Sequence, residues 1–154
     1  MTAKLIFLVH TASTLILVGL IWTVQVVQYP LFSRVGMDAF PHFHTAHSRQ
    51  ITWVVAPLMI AELVTGLCLL VERPAQMAVV WVWLGLLLIA AIWLSTAFLQ
   101  IPMHQVLGEG FDPEAHRFLV RSNWLRTIAW TLRALLVLWL AARLIGPPSK
   151  SVLS

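Results

Sequence analysis

Five of the six histidines in this 154-residue chain lie in two short stretches, where their imidazoles could bind a metal ion or transfer protons. His42, His44 and His47 form the pattern H-x-H-x-x-H, and His44 and His47 share one face if the stretch is helical. His104 and His116 lie in the second stretch. Because imidazole binds zinc, copper and iron, these five residues are candidate ligands of a transition metal. Two alternatives stay open: a haem held between His44 and His116, and histidines that only join hydrogen-bond networks.

Two charged residues lie within otherwise apolar stretches of the chain. Glu62 and Arg133 are each the single charge in their stretch. Counted from the prolines expected to begin their helices, they lie within about one residue rise of the same depth. A lone charge at the centre of a bilayer costs at least about 2.5–3.5 kcal/mol, which an inward-facing pair reduces. We therefore predict a Glu62–Arg133 ion pair, either as a structural lock or as a polar anchor beside a ligand. His10 is expected to join it or to reach Thr65.

The composition predicts that these residues belong to a membrane protein. Apolar residues make up 60% of the chain and charged residues 10%, against about 25% in an ordinary soluble domain. An aqueous domain of this size would need more charged side chains to cover its surface. The single cysteine, Cys68, excludes a disulfide scaffold. Four apolar stretches are long enough to cross a bilayer, at 5–28, 51–71, 75–103 and 127–142, the last of which reaches a full crossing when counted outward to 124–144. We expect an all-α, four-helix transmembrane bundle, with one domain over 1–154 and the first span retained.

An internal repeat organises the polar residues. At an offset of 72 positions the chain matches itself without gaps, and the identities pair Gln28, Pro30, Gly36, Pro41, His44 and Arg49 with Gln100, Pro102, Gly108, Pro113, His116 and Arg121. This predicts two tandem helical hairpins, about 4–72 and 76–144, in parallel orientation. Counting from the turns places Gln28 level with Arg49, and Gln100 level with Arg121. These pairs are expected either to fasten helix ends or to form a polar mouth for a ligand oxygen.

Four crossings place both termini on the same side of the membrane. The terminal side carries Lys4, Arg73, Arg143 and Lys150, and the other side carries Arg34, Arg49, Arg117, Arg121 and Arg126. Since four bases face five, the positive-inside rule does not decide the orientation. The bases on the terminal side lie in the two chain ends and in a tight turn, whereas some bases on the other side, such as Arg49 and Arg121, belong to the repeat and could have another role. We therefore expect the termini in the cytoplasm.

Part of the second half resembles a known family. The resemblance is carried by Gln100-Ile-Pro-Met-His104, Asn123-Trp124-Leu-Arg126-Thr127, Trp130 and Arg133. These residues are similar to the second half of the anthrone-oxygenase-like proteins, a family of small four-helix membrane proteins that are mostly of unknown function. The family pattern is Pro-x-Asn/His at the end of helix three, then a Trp and an Arg in helix four. The resemblance implies oxidation of a polycyclic anthrone to a quinone without an obvious cofactor.

Three hypotheses about function follow. The first is an oxidoreductase or oxygenase that acts on a lipophilic aromatic or quinone-like molecule in a polar pocket near the side of the longer connections. A histidine or Glu62 would act as the base, and an arginine would stabilise the developing oxyanion. The second is a non-catalytic accessory or assembly subunit of a membrane complex. The third is a metal- or haem-binding membrane protein with histidine ligands.

The candidate site residues follow from the first hypothesis. The expected catalytic residues are His104, His116, Glu62 and Arg133. The expected ligand-binding residues are Gln28, Gln100, Arg49, Arg121, His44 and Trp124. The expected partners are the bilayer, a lipophilic small molecule, and further subunits or a second copy of the chain. Nucleic acid is not expected, because the bases are spread over two membrane faces.

Overall fold

The computed structural model describes residues 2–145, and within them the chain forms four long helices and no strand. Each helix is long and apolar enough to cross a membrane. The helices are α1 (Ala3–Phe32), α2 (Phe40–Val71), α3 (Val79–Glu109) and α4 (Pro113–Ile145). The prediction of an all-α, four-helix bundle is confirmed, and the chain is an integral, multi-pass membrane protein. Lys150 and the end of the predicted 1–154 domain lie outside the described residues.

Helix α4 begins where its sequence indicates. The Asp112 carboxylate accepts a hydrogen bond of 2.8 Å from the backbone N–H of Ala115, which satisfies one free donor of the first turn. Pro113 occupies the first helical position, where its missing N–H costs nothing. Helix α2 begins in a similar way, with Pro41 in its first turn. The α1–α2 and α3–α4 connections therefore lie together at one end of the bundle, which is called the turn end below.

Two π-helical segments interrupt the α-helical hydrogen bonding. They lie at Val24–Gln28 in α1 and at Thr96–Gln100 in α3. Each precedes a proline, Pro30 or Pro102, that cannot donate to the carbonyl four residues earlier. The carbonyls left without a proline donor belong to Val26 and Phe98, which lie inside the π-helical segments. The wider π-helical turn therefore falls where the α-helical hydrogen bond is missing. The two segments are 72 positions apart, as the offset of the repeat requires; the duplication itself stays a prediction.

Helices that follow one another in the sequence are also neighbours in the bundle, and α4 returns to contact α1. Helix α1 contacts α2 and α4, and α3 also contacts α2 and α4, so that α1 and α3 lie diagonally. One apolar cluster, around Phe32, Phe40 and Leu119, fills the turn end. A second cluster, around Ile6 and Leu140, fills the opposite end. Large apolar side chains also cover the outer surface, which suits contact with lipid.

Candidate functional site

The two intramembrane charges form an ion pair at the middle of the bundle. Arg133 Nε donates to Glu62 Oε1 at 2.9 Å, and both side chains are almost completely buried. Glu62 Oε1 also accepts from Thr14 Oγ1 at 2.7 Å, and Glu62 Oε2 accepts from Trp130 Nε1 at 3.2 Å. The predicted Glu62–Arg133 pair is confirmed, because both residues lie at the same depth on helices that face the bundle interior.

The two Nη atoms of Arg133 also have hydrogen-bond partners. Arg133 Nη1 donates to the Gly85 carbonyl at 2.6 Å, and Arg133 Nη2 lies 3.0 Å from His10 Nε2. His10 Nδ1 lies 2.9 Å from Thr65 Oγ1, which itself donates to the Ala61 carbonyl. Because the arginine is a donor, His10 Nε2 must be unprotonated, and the proton therefore lies on Nδ1. The expected contacts of His10 are confirmed.

The ion pair serves as a lock between helices. All four helices contribute to it, and each guanidinium nitrogen of Arg133 has a partner. Neither Glu62 nor Arg133 lines the large cavity described next, which the network meets only through Trp130. Glu62 and Arg133, which were expected to be catalytic, therefore lie next to the cavity and do not form part of its wall.

A cavity of about 280 Å³ lies between the four helices, in the half of the bundle nearer the turn end. Most of its wall is apolar, with residues such as Leu17, Ile21, Val55 and Met59. The polar lining residues are Tyr29, His47, Thr52, Thr96, Gln100, His104 and Arg126. A mostly apolar cavity with a few converging polar groups is typical of a small-molecule site.

Arg126 is the most unusual residue of this lining. Its side chain is 8% exposed, yet within residues 2–145 it takes part in no ion pair. Within the described residues its Nε has no hydrogen-bond partner, and the polar group that its guanidinium interacts with is the Tyr29 hydroxyl. Its guanidinium carbon lies 5.2 Å from the centre of the Trp130 ring, a cation–π contact. Burying a charge without an opposite charge is costly, so this cationic hydrogen-bond donor in the cavity wall would be stabilised by an anionic or strongly polar acceptor.

A second unused donor lies in the same wall. Trp93 lines the cavity, and its buried Nε1 has no partner in the described structure. Arginine and tryptophan side chains donate hydrogen bonds and cannot accept them. A molecule that satisfies both must therefore supply acceptor atoms. Gln100, by contrast, is already bound, since its Oε1 accepts from Ser95 at 2.9 Å and its Nε2 donates to Ser122 at 3.2 Å.

Three aromatic side chains form a hydrogen-bonded chain at the turn end of the cavity. Tyr29 Oη lies 3.0 Å from His104 Nε2, and His104 Nδ1 lies 3.0 Å from His44 Nε2. The far nitrogen, His44 Nδ1, is buried and has no partner among residues 2–145. His116 Nε2 binds the backbone carbonyl of Tyr29 at 2.8 Å. His44, His104 and His116 thus meet around Tyr29, although only His104 lines the cavity.

A more open groove of about 350 Å³ lies beside the hydrogen-bonded side chains of Tyr29, His104 and His44. His44 and His104 line it, with Ser48, Gln105 and Gly108. The groove and the cavity share four lining residues, Ile51, Thr52, Ile101 and His104, all on α2 or α3. Thr52 is exposed on the outer surface, and Ile101 is 48% exposed. The cavity therefore opens between α2 and α3.

The histidines do not assemble as a metal site. Within residues 2–145, no three His, Cys, Asp or Glu side chains are placed to hold one ion. Of the five proposed ligands, His42 is exposed and His116 is bound to a backbone carbonyl. His44 and His104 bind each other, and His47 packs on an aromatic ring, Phe32.

A haem between His44 and His116 does not fit either. The Phe32 ring lies 5.6 Å from the His44 ring and 6.4 Å from the His116 ring, measured between centres. The phenylalanine therefore fills the space that a haem joining these two histidines would need.

Five of the six expected ligand-binding residues lie outside the cavity: His44, which lines the groove instead, and the four that follow. Arg49 and Arg121 are exposed on the outer surface, so the predicted Gln28–Arg49 and Gln100–Arg121 pairs do not form. Gln28 does not line the cavity, and its buried Oε1 has no partner. Trp124 is 41% exposed and packs edge-on against Trp22. The residues share the expected depth, but they point in different directions around their helices.

Arg126, Tyr29 and Trp93 line the cavity and are the candidate site residues that the sequence prediction missed. Arg126 lies about two turns before Arg133 and one turn before Trp130, so all three fall on one face of α4. That spacing was a usable signal, because Arg133 was expected to face the interior. Nothing in the sequence marks Trp93 among eight tryptophans.

Comparison with protein families, with curated proteins and with solved structures gives no match for this chain.

Proposed function

We propose that the cavity binds a lipophilic aromatic molecule with a carbonyl or ionised hydroxyl oxygen, and that the protein acts on it as an oxidoreductase. The observation that carries this proposal is Arg126, a buried guanidinium on the wall of a mostly apolar cavity that forms no ion pair within residues 2–145 and whose Nε has no acceptor there. The apolar wall favours a ring system, and Arg126 favours an oxygen that bears negative charge. Quinones and their reduced, dihydroxy forms combine both properties.

The same groups suit the chemistry of a hydroquinone. Tyr29 and His104 both line the cavity, and a hydroxyl proton can pass through the Tyr29 hydroxyl to His104 Nε2, while Arg126 stabilises the resulting oxyanion. Complete oxidation to the quinone removes two protons and two electrons. With dioxygen as the electron acceptor, the two electrons and two protons form hydrogen peroxide, so the atoms and charges balance. The resemblance of the second half to the anthrone-oxygenase-like proteins implies oxidation of a polycyclic anthrone, which is also a lipophilic aromatic substrate.

Binding is tested with 2-hydroxy-1,4-naphthoquinone, an acidic quinone, added to the protein in lipid nanodiscs. Trp93 and Trp130 line the cavity, so a bound quinone quenches tryptophan fluorescence. We expect saturable quenching, and about a 10–100-fold weaker affinity for Arg126→Met, which is the fold-change for about 1.5–3 kcal/mol of a charged hydrogen bond. Naphthalene, which has no oxygen, should bind equally to both proteins.

Arg121→Met is the matched control, because it removes an exposed arginine from the same helix. Equal quinone affinities for the wild type, Arg121→Met and Arg126→Met would overturn the binding proposal. Turnover is then followed as oxygen uptake with the corresponding naphthoquinol, against empty nanodiscs. Tight binding without any uptake above empty nanodiscs would refute the oxidoreductase and leave a binding protein.

A further inference from the structure

We infer that Tyr29, His104 and His44 form a proton relay, which carries protons between the cavity and the groove at the turn end. The inference rests on the proposed function, since oxidation of a hydroquinone releases two protons into a cavity with mostly apolar walls. Both joining distances in the relay are 3.0 Å, short enough for a proton to pass along each hydrogen bond. Tyr29 and His104 face the cavity, and His104 and His44 face the groove.

The relay has two consistent arrangements of protons. In the first, Tyr29 donates to His104 Nε2, His104 Nδ1 donates to His44 Nε2, and His44 Nδ1 bears a proton. In the second, every bond is reversed, so that His44 Nδ1 is bare and the Tyr29 hydroxyl points its proton elsewhere. Taking one proton from a ligand at the Tyr29 end and releasing one from His44 Nδ1 converts one arrangement to the other. No residue gains or loses net charge in the complete transfer.

The outer end of the relay is prepared for exchange. Within the described residues His44 Nδ1 has no protein partner, and although this atom is itself buried, the His44 side chain lines the groove, so a water molecule that enters there from the groove can take its proton. The other lining groups at this end of the groove are small or polar, including Ser48, Gln105 and Gly108. A relay with a bound outer nitrogen would have nowhere to release its proton.

Neighbouring aromatic rings and one hydrogen bond hold the three rings of the relay in position. The His44 ring stacks on Phe40 at 5.5 Å and meets the edge of Phe32 at 5.6 Å. His116 binds the carbonyl of Tyr29 and so fixes the end of α1. The other titratable or charged groups around the relay are His47 on α2, and His116 and Arg126 on α4.

The test uses chemical rescue of His44→Ala in nanodiscs, with oxygen uptake on naphthoquinol as one readout and quinone quenching as the other. We expect turnover to fall at least tenfold while the quinone affinity changes less than twofold. Added imidazole should restore a third or more of the turnover. Pyrazole has the same ring size and is far less basic, so it should restore none. His42→Ala, which removes an exposed histidine of the same helix, is the control and should keep full turnover.

The possible results distinguish failure of the proton relay from failure of the proposed oxidoreductase function. Turnover of His44→Ala at the wild-type rate overturns the relay and leaves the oxidoreductase standing, and equal rescue by pyrazole shows that His44 only fills space. If the variant does not fold, or the wild type does not turn over, ¹⁵N NMR of the histidine rings in the wild type decides. Exchange between the two tautomers at both His44 and His104 supports the relay. A single, static tautomer at either ring overturns it.

Discussion

Two buried arginines on one helix should differ in how much stability the same substitution costs. Arg133 is bound to the Glu62 carboxylate, the Gly85 carbonyl and two further side chains. Arg126, about two turns earlier, has a tryptophan ring beneath it and no ion pair within residues 2–145. Replacing each with methionine, an apolar side chain of similar length, therefore measures a paired charge against an unpaired one.

The expected magnitudes differ by several kilocalories. Arg133→Met leaves Glu62 buried without its cation, which costs about 3–5 kcal/mol of unfolding free energy. Arg126→Met loses a cation–π contact worth about 0.5–1 kcal/mol and gains by removing an unpaired charge from the interior. We expect its stability to be unchanged or higher. Adding Glu62→Gln to Arg133→Met should recover much of the loss, because no charge then remains.

The assay is unfolding by sodium dodecyl sulfate in mixed micelles, followed by circular dichroism. Each variant is compared with the wild type at equal protein and lipid concentrations, since detergent composition changes the midpoint. A loss for Arg126→Met as large as that for Arg133→Met would refute the reasoning that Arg126 is unpaired. No loss for Arg133→Met would refute the interhelical lock.

Further variants test other contacts. A Cβ at Gly85 would lie 3.2 Å from the guanidinium of the ion pair, so Gly85→Ala should lower the unfolding midpoint, while Gly19→Ala, with open space around it, should not. Asn123 Nδ2 donates to Gln25 Oε1 at 2.8 Å in a buried position, so Asn123→Leu should cost about 1–3 kcal/mol in the same assay. Trp124→Leu should leave the quinone affinity within twofold of the wild type, because the side chain lies outside the cavity; a tenfold loss would show that the binding site is elsewhere.

The sequence predicts well those features that depend on position along a helix. The four spans follow from the length of the apolar stretches, and the helix start at Asp112 follows from its capping side chain and the proline after it. The depth of Glu62 and Arg133 follows from a constant rise per residue. Their pairing follows in turn, because a charge at that depth must face inward.

The sequence predicts poorly those features that depend on direction around a helix. Each residue turns the side chain by about 100°, so two residues at the same depth on neighbouring helices need not face each other. Arg49 and Arg121 therefore lie level with Gln28 and Gln100 but face outward. The arginine that does face the cavity, Arg126, differs from them in direction, which neither composition nor depth reveals.

The opening between α2 and α3 determines how a ligand of the cavity would be supplied. Thr52 and Ile101 lie on this opening and are exposed on the surface that faces lipid. A molecule that arrives this way first partitions into the hydrocarbon, so its effective concentration is a mole fraction in the membrane rather than a molarity in water. Apparent affinity should weaken as lipid is added at constant total ligand. Selection among possible ligands thus begins with solubility in the bilayer, before any contact with Arg126.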